Sequence, residues 1–189
     1  MSVVLVPERM RISAERYQKM IATGVLGKYD RVELIEGDIL EMPPIGWPHS
    51  AVMAHLNKRF VLAVGDAAVV SPGGSIVLGD FSQPQPDLML LRYRNDFYSG
   101  QYPTATDALL LVEISDSSLA FDQSTKRSLY ARYGAEEYWV VDVRAQRLFV
   151  YWEPTANGYA QALELSGSDV ASPRALPIVK IPVGTLCSS

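Results

Sequence analysis

With 189 residues, 48% of them hydrophobic and 20% charged, the chain has enough material for one domain with a real core, 1–189, and is not composed like a disordered protein. A net charge of −4 and a pI near 5.2 weigh against a general nucleic-acid coat protein, whose footprint is basic. The one cysteine, Cys187, excludes a disulfide within the chain and suggests a reducing compartment. No apolar run approaches the ~20 residues of a membrane helix. The start, MSVVLVPERM, lacks the basic region of a signal peptide. These features predict a cytosolic protein.

Ser13 is placed to cap a helix over Ala14–Ala22, ending near Gly24. Arg31–Met42 reads as a hairpin turning at Glu36-Gly37-Asp38. Pro43, Pro44, Gly46 and Pro48 then break the chain. In His49–Val64, Val52, Leu56, Phe60 and Ala63 keep a helical period, and Gly65 is a fitting stop. Short strands are expected at Ala67–Ser71 and Ser75–Leu78, around Pro72-Gly73-Gly74. Leu88–Leu91 is a strand entered through a proline, and 92–107 is loop-like. Ala108–Ser115 is apolar on both faces, which predicts a central strand. Asp122–Tyr133 reads as a helix with Asp122 as cap and Gly134 as stop. Strands follow at Glu137–Val143, Arg147–Trp152 and Tyr159–Leu165, with an edge strand over Ile178–Val183. The sum is an α+β fold, a mixed sheet with helices packed on it.

Three charged residues stand in unusual places. Asp87 begins an apolar strand, and Glu113 lies near the end of the most apolar run, where an unpaired charge would cost several kcal/mol. Lys126 shares a helical stripe with Leu129, Tyr130 and Tyr133, so it points at least partly toward the sheet. Two carboxylates at adjacent strand ends can hold Mg²⁺, which takes one or two protein carboxylates and leaves room for phosphate. A lysine from the next helix can reach the same spot and orient water or steady developing charge. Each residue also has a bland reading: a salt-bridged strand carboxylate, a turn aspartate, a snorkelling lysine.

The same stretches resemble the Uma-type endonuclease family, a group within the restriction-endonuclease-like, PD-(D/E)XK, superfamily. VELIEGDILEMPP at 32–44 resembles its N-terminal hairpin and PHSAVMAHLNKRF at 48–60 its following helix. QPDLMLL at 85–91 resembles the Pro-Asp strand. LLVEISDSSLAFDQSTKRSLYARYGAEEYWVVD at 110–142 is the most specific part. The resemblance spans about 13–153, leaving C-terminal strands and a tail over 154–189. It implies a restriction-endonuclease-like sheet with an N-terminal hairpin extension, and a Mg²⁺- or Mn²⁺-dependent endonuclease acting on nucleic acid, DNA first, with a 5′-phosphate product. It makes Asp87 and Glu113 the metal ligands and Lys126 the catalytic lysine. The superfamily lysine two residues after the glutamate is here Ser115, on the same strand face as Glu113 and within reach of a metal-bound water.

Glu33 and His49 are secondary candidates. Glu33 is either an added acidic group near the metal or a solvent-facing strand residue. His49 either meets a phosphate or is an ordinary cap-region histidine. Asp116 and Asp122 are candidates for the acidic mouth, and Arg92, Arg94, Arg127 and Arg132 for phosphate contacts or plain solvated charges. Trp47 either stacks on a base or packs. A homodimer is the commonest assembly, with Glu137–Val141 as a candidate interface. The alternative function is a nuclease-fold nucleic-acid-binding or interaction module that does little chemistry.

Overall fold

The structure is a computed structural model and describes residues 8–27 and 29–186. The first seven residues and Cys187, read above for targeting and redox setting, lie outside the described residues. Among the described residues, no helix is long and apolar enough to cross a membrane.

Helix α1 spans Ala14–Ala22, and the Ser13 hydroxyl accepts from the Arg16 amide at its start. Strands β1 (Val32–Ile35) and β2 (Asp38–Glu41) form the expected hairpin. Its two-residue turn needs positive φ at both centres, 51° at Glu36 and 92° at Gly37. A side chain at Gly37 would also strike Arg11, whose Cβ lies 2.7 Å from the position a Cβ would take. The long helix α2 spans Trp47–Val64, starting two residues before the expected His49. Pro48 causes this: the first helical turn tolerates proline, whose missing N–H would be unpaired there.

A six-stranded sheet follows in the order β3-β4-β5-β6-β7-β8, comprising β3 (Ala68–Pro72), β4 (Leu88–Arg92), β5 (Ala108–Ser115), β6 (Glu137–Asp142), β7 (Arg147–Thr155) and β8 (Gly158–Ser166). All its pairings are antiparallel except β5–β6, the one crossover that needs a helical connection. That connection consists of α3 (Leu119–Phe121), a π-helical turn (Asp122–Lys126) and α4 (Arg127–Arg132).

The apolar run of β5 is explained by two covered faces. Leu110, Val112 and Ile114 face α2 and the C-terminal segment, packing with Leu56, Phe60, Trp139, Val179 and Ile181. Leu111 faces the other way, with Met89, Leu129, Tyr130, Tyr138 and Val140. The ring centres of Phe60 and Trp139 lie 6.2 Å apart. Glu137, also buried, accepts from Trp139 Nε1 at 2.7 Å and from the Arg174 amide at 2.7 Å.

Four expectations need correction. Ser75–Leu78 is not a strand; Val77 and Leu78 make only isolated bridges, because Gly73 and Gly74 turn the chain away from the sheet. Ile178–Val183 shrinks to β10 (Ile181–Pro182), which pairs with β9 (Val170–Ala171) apart from the main sheet. Pro177 and Pro182 deny it a longer ladder. Asp122 is not a helix cap, since α3 begins at Leu119 and the Asp122 side chain is turned inward. Glu137–Val141 cannot serve as an interface, because every residue of that run is buried in the sheet.

Phe60 fills the space between α2 and Trp139 with nothing on hand to replace it. Phe60→Ala should therefore lose about 3–5 kcal/mol of folding stability, read from urea denaturation. A loss under about 1 kcal/mol would mean that α2 is not the clamp on this face.

Candidate active site

Register brings the first two candidates together. Leu88 pairs with Val112, so one step further along the antiparallel ladder sets Asp87 opposite Glu113. The Asp87 carboxylate reaches across, and its Oδ2 accepts from the Ile114 amide at 2.7 Å. Its Oδ1 lies 3.0 Å from His49 Nε2. His49 arrives from the first turn of α2. That helix starts without a side-chain cap, so the positive end of its dipole is left at the site.

Lys126 arrives from the π-helical turn. The Arg127 amide reaches back to the Asp122 carbonyl, a five-residue step that adds one residue to the turn. Such turns cluster at functional sites because they rotate one side chain out of the ordinary helical phase. Here Lys126, Leu129 and Tyr130 are all buried, in line with the stripe read from sequence. The Lys126 ammonium lies 3.0 Å from Glu113 Oε1 and 3.1 Å from both oxygens of Glu33. It donates to Glu33 Oε1; Oε2 is within ion-pair reach but outside hydrogen-bonding geometry. Tyr130 adds a second donor to Glu113 Oε1, at 2.7 Å. The backbone N–H of Gln83, just upstream of Asp87, donates to the Leu34 carbonyl at 2.7 Å and ties β1, which carries Glu33, to the segment that leads into Asp87.

The neighbouring shell is also acidic. Asp122 Oδ2 accepts from the Ser115 hydroxyl at 2.7 Å and the Ser118 hydroxyl at 2.6 Å. Ser115 thus occupies the familiar lysine position but donates to Asp122, and it does not line the cavity. Asp116 stands at the rim and accepts from Arg144 at 2.8 Å. Arg92 and Arg94 are committed to Glu136 and Asp96, Arg132 to Glu36, and Arg127 lies over the Tyr151 ring.

These groups surround a cavity of about 300 Å³, open to solvent, whose walls carry five carboxyl groups: Glu33, Asp87, Glu113, Asp116 and Asp122. Lys126 and Arg31 are the cations in its lining. Burial raises the Glu113 carboxyl well above the ordinary range; Lys126 opposes this, while Asp122, Asp87 and Glu33 add to it. Burial raises Glu33 too, against the pull of Lys126. Burial by itself would lower the Lys126 ammonium, but Glu113, Glu33 and Asp122 outweigh it and the net shift is upward. Acids and base thus move the same way for different reasons: burial raises the two carboxyls, and the surrounding carboxyl groups raise the ammonium.

Excess negative charge on hard oxygen donors suits a divalent cation. Among the described residues no three His, Cys, Asp or Glu side chains converge into a closed cage. Mg²⁺ needs none, since it is bound through one or two carboxylates and keeps its waters. Asp87 lines the cavity, and among the described residues no hydrogen bond engages Glu113 Oε2. The donor set therefore fits such an ion.

Sequence reasoning missed Tyr130 as a partner of Glu113, although its place four residues after Lys126 on one stripe was a usable signal. It also missed the pairing of His49 with Asp87, which depends on how α2 crosses the sheet and has no local signature.

Residues 14–184 match the family model Uma2, described as "Putative restriction endonuclease". No curated protein matches the chain. Among solved structures, it is similar to a protein from Anabaena variabilis described as a "putative nuclease belonging to DUF820", with a TM-score of 0.74 and 19% identity. The match covers 93% of this chain and 97% of that one. At that identity the likeness shows the shared fold, an α+β mixed sheet flanked by helices.

Lys126→Met would leave two buried carboxyls without their cation. It should cost about 3–5 kcal/mol of stability near pH 8. The loss should shrink as the pH is lowered to about 5. A carboxyl whose folded pKa lies above its unfolded value folds best protonated and loses that advantage as pH rises through the folded value. Urea unfolding at both pH values checks this, and an equal loss at both would show that Glu33 and Glu113 do not respond to the lysine.

Proposed function

The chain belongs to the Uma2 family, and from that premise we propose that it is a Mg²⁺- or Mn²⁺-dependent endonuclease that hydrolyses phosphodiester bonds of nucleic acid, DNA first. The observation that carries the reading is the cavity itself, where five carboxyl groups crowd one buried lysine at the open end of the sheet.

Asp87 and Glu113 would hold the cation. When bound, it supplies Lewis-acid polarisation of the phosphoryl oxygen and a more acidic water. The protein's own contribution is positioning. His49 and the Ile114 amide fix both oxygens of Asp87, so that carboxylate pays little entropy to act as a ligand. Tyr130 and Lys126 hold Glu113 by one oxygen and leave the other toward the cavity. Glu33 restrains the Lys126 ammonium, which orients the attacking water or steadies the charge that develops on phosphorus-bound oxygen. Pairing with two carboxylates keeps Lys126 protonated, so it acts as a charge and hydrogen-bond donor and not as a general base.

A nucleic-acid-binding module of little chemistry is the second reading. It is favoured by the saturation of Asp87, whose two oxygens both have partners already.

The deciding experiment is cleavage of supercoiled plasmid and of single-stranded DNA with Mn²⁺, Mg²⁺ or EDTA. Wild type should cut only with metal. Glu113→Gln should stay folded and lose roughly 10²–10³-fold or more in rate, the scale of removing one preorganised electrostatic group. Calorimetric Mn²⁺ binding should vanish in the same variant. Glu113→Gln cutting at the wild-type rate would overturn the assignment. Wild type that neither cuts nor binds metal would favour the binding module.

A further inference from the structure

Trp47 lies between two residues that line the cavity, Gly46 and His49, yet the residue itself is 89% exposed. Among the described residues, no ring, cation or hydrogen-bonding group engages it. Tryptophan presents 150–250 Å² of largely apolar surface, about the most costly group to leave in water. A packing role, one of the two readings open from the sequence, is therefore closed. Ile45, next to it and in the cavity lining, is also half exposed.

The ring is presented on a rigid mount. Gly46 is extended, at φ −85° and ψ 167°, and Trp47 opens an 18-residue helix. Pro48 follows and restricts the backbone of Trp47 as well as its own. The rim segment before it is tied by Arg31, which donates to the Pro43 carbonyl. Ordering Trp47 on a ligand therefore costs side-chain freedom alone. Two arginines belong to the same cavity region. Arg31 lines the cavity. Arg144 is anchored to Asp116, which a Cβ at Gly46 would approach to 3.5 Å, and its own side chain remains 72% exposed. An exposed aromatic face next to a cavity that has a guanidinium group in its lining matches one ligand chemistry in particular, a nucleotide, with a π-face to stack and a phosphate to pair. Bases inside a duplex are already stacked on one another. The base that Trp47 can cover must be unpaired, at a single-stranded segment, a frayed end or a displaced nucleotide.

We propose that Trp47 is a stacking platform for an unpaired nucleobase at the mouth of the cavity, which makes single-stranded or locally unpaired nucleic acid the preferred substrate class. The proposal rests on the nuclease reading above and adds what that reading leaves open. Trp47 acts on binding and register; it touches the substrate away from the reacting phosphate.

The test is fluorescence-anisotropy titration of end-labelled oligonucleotides, single-stranded and blunt duplex of equal length, with Ca²⁺ in place of Mg²⁺ so that a cation shields the carboxyl groups, and with a gel of each sample to confirm that the label stays on intact strand. Wild type should bind the single strand more tightly. Trp47→Ala should weaken single-strand binding roughly tenfold, within the range that stacking supplies, and change duplex binding less than about twofold. Trp47→Phe should keep most of the affinity. Because the side chain is exposed, circular dichroism and the melting temperature should not change. Trp47→Ala binding single strands as tightly as wild type would overturn the platform and leave the nuclease reading standing. Equal losses on both forms would overturn it too, by showing contact to the backbone instead of a base. A variant altered only in oligomeric state, by light scattering, would overturn it in favour of an interface between copies of the chain. Wild type that binds neither form would overturn the nuclease reading, and the inference with it.

Discussion

One buried ammonium holds the functional end of this molecule together. Lys126 lies within 3.1 Å of two carboxylates that belong to different sheets, Glu113 on β5 and Glu33 on β1. Neither carboxylate could stay buried and ionised without it. The lysine in turn reaches them through a turn that departs from α-helical geometry, an arrangement a chain does not keep without a return. The N-terminal hairpin, the central strand and the crossover helix are thereby fastened at one point, and that point is the wall of the cavity.

The cluster shows how the same contacts serve stability and chemistry. Burial strengthens every attraction and every repulsion around Glu113, because little water remains to screen them. With five carboxyl groups lining the cavity, the lysine cannot neutralise the whole. The native fold therefore carries an unpaid electrostatic demand at the end of the sheet, aimed where solvent enters. A protein optimised for stability alone would fill this place with apolar side chains. Retaining charge here, oriented by hydrogen bonds from Tyr130, Ser115 and Ser118 and by the close approach of His49 to Asp87, is the arrangement on which the proposed cation site rests.

The rim follows a different principle. Inside the cavity the groups are fixed and mostly acidic, whereas the edge adds apolar and basic groups, with Ile45 and Arg31 in the lining, Trp47 beside it in the chain, and Arg144 paired to Asp116. An anionic polymer would be repelled by the floor and attracted by the edge. Under the proposed function this division would reconcile a net charge of −4 with a phosphate substrate: attraction would be local, and a bound cation would lie between the acidic interior and the substrate.

Much of this was legible in one dimension. The doubly apolar run of β5, the hairpin with Glu-Gly at its turn and the stripe of Lys126, Leu129 and Tyr130 are periodic signals. Periodicity reports which face is buried regardless of what buries it. Asp87, Glu113 and Lys126 stood out because charge in an apolar pattern demands a partner. What the sequence could not supply was the partner's identity. That His49 would meet Asp87, that Glu33 would share the lysine, and that Asp122 would turn inward to two serines instead of capping a helix all depend on register between strands and on one extra residue in a turn. The same holds for Trp47, whose exposure follows from where the first turn of α2 lands. Local patterns determined which residues must be buried or paired; only the tertiary structure decided with whom, because pairing across the chain is set by packing geometry that no short window of sequence contains.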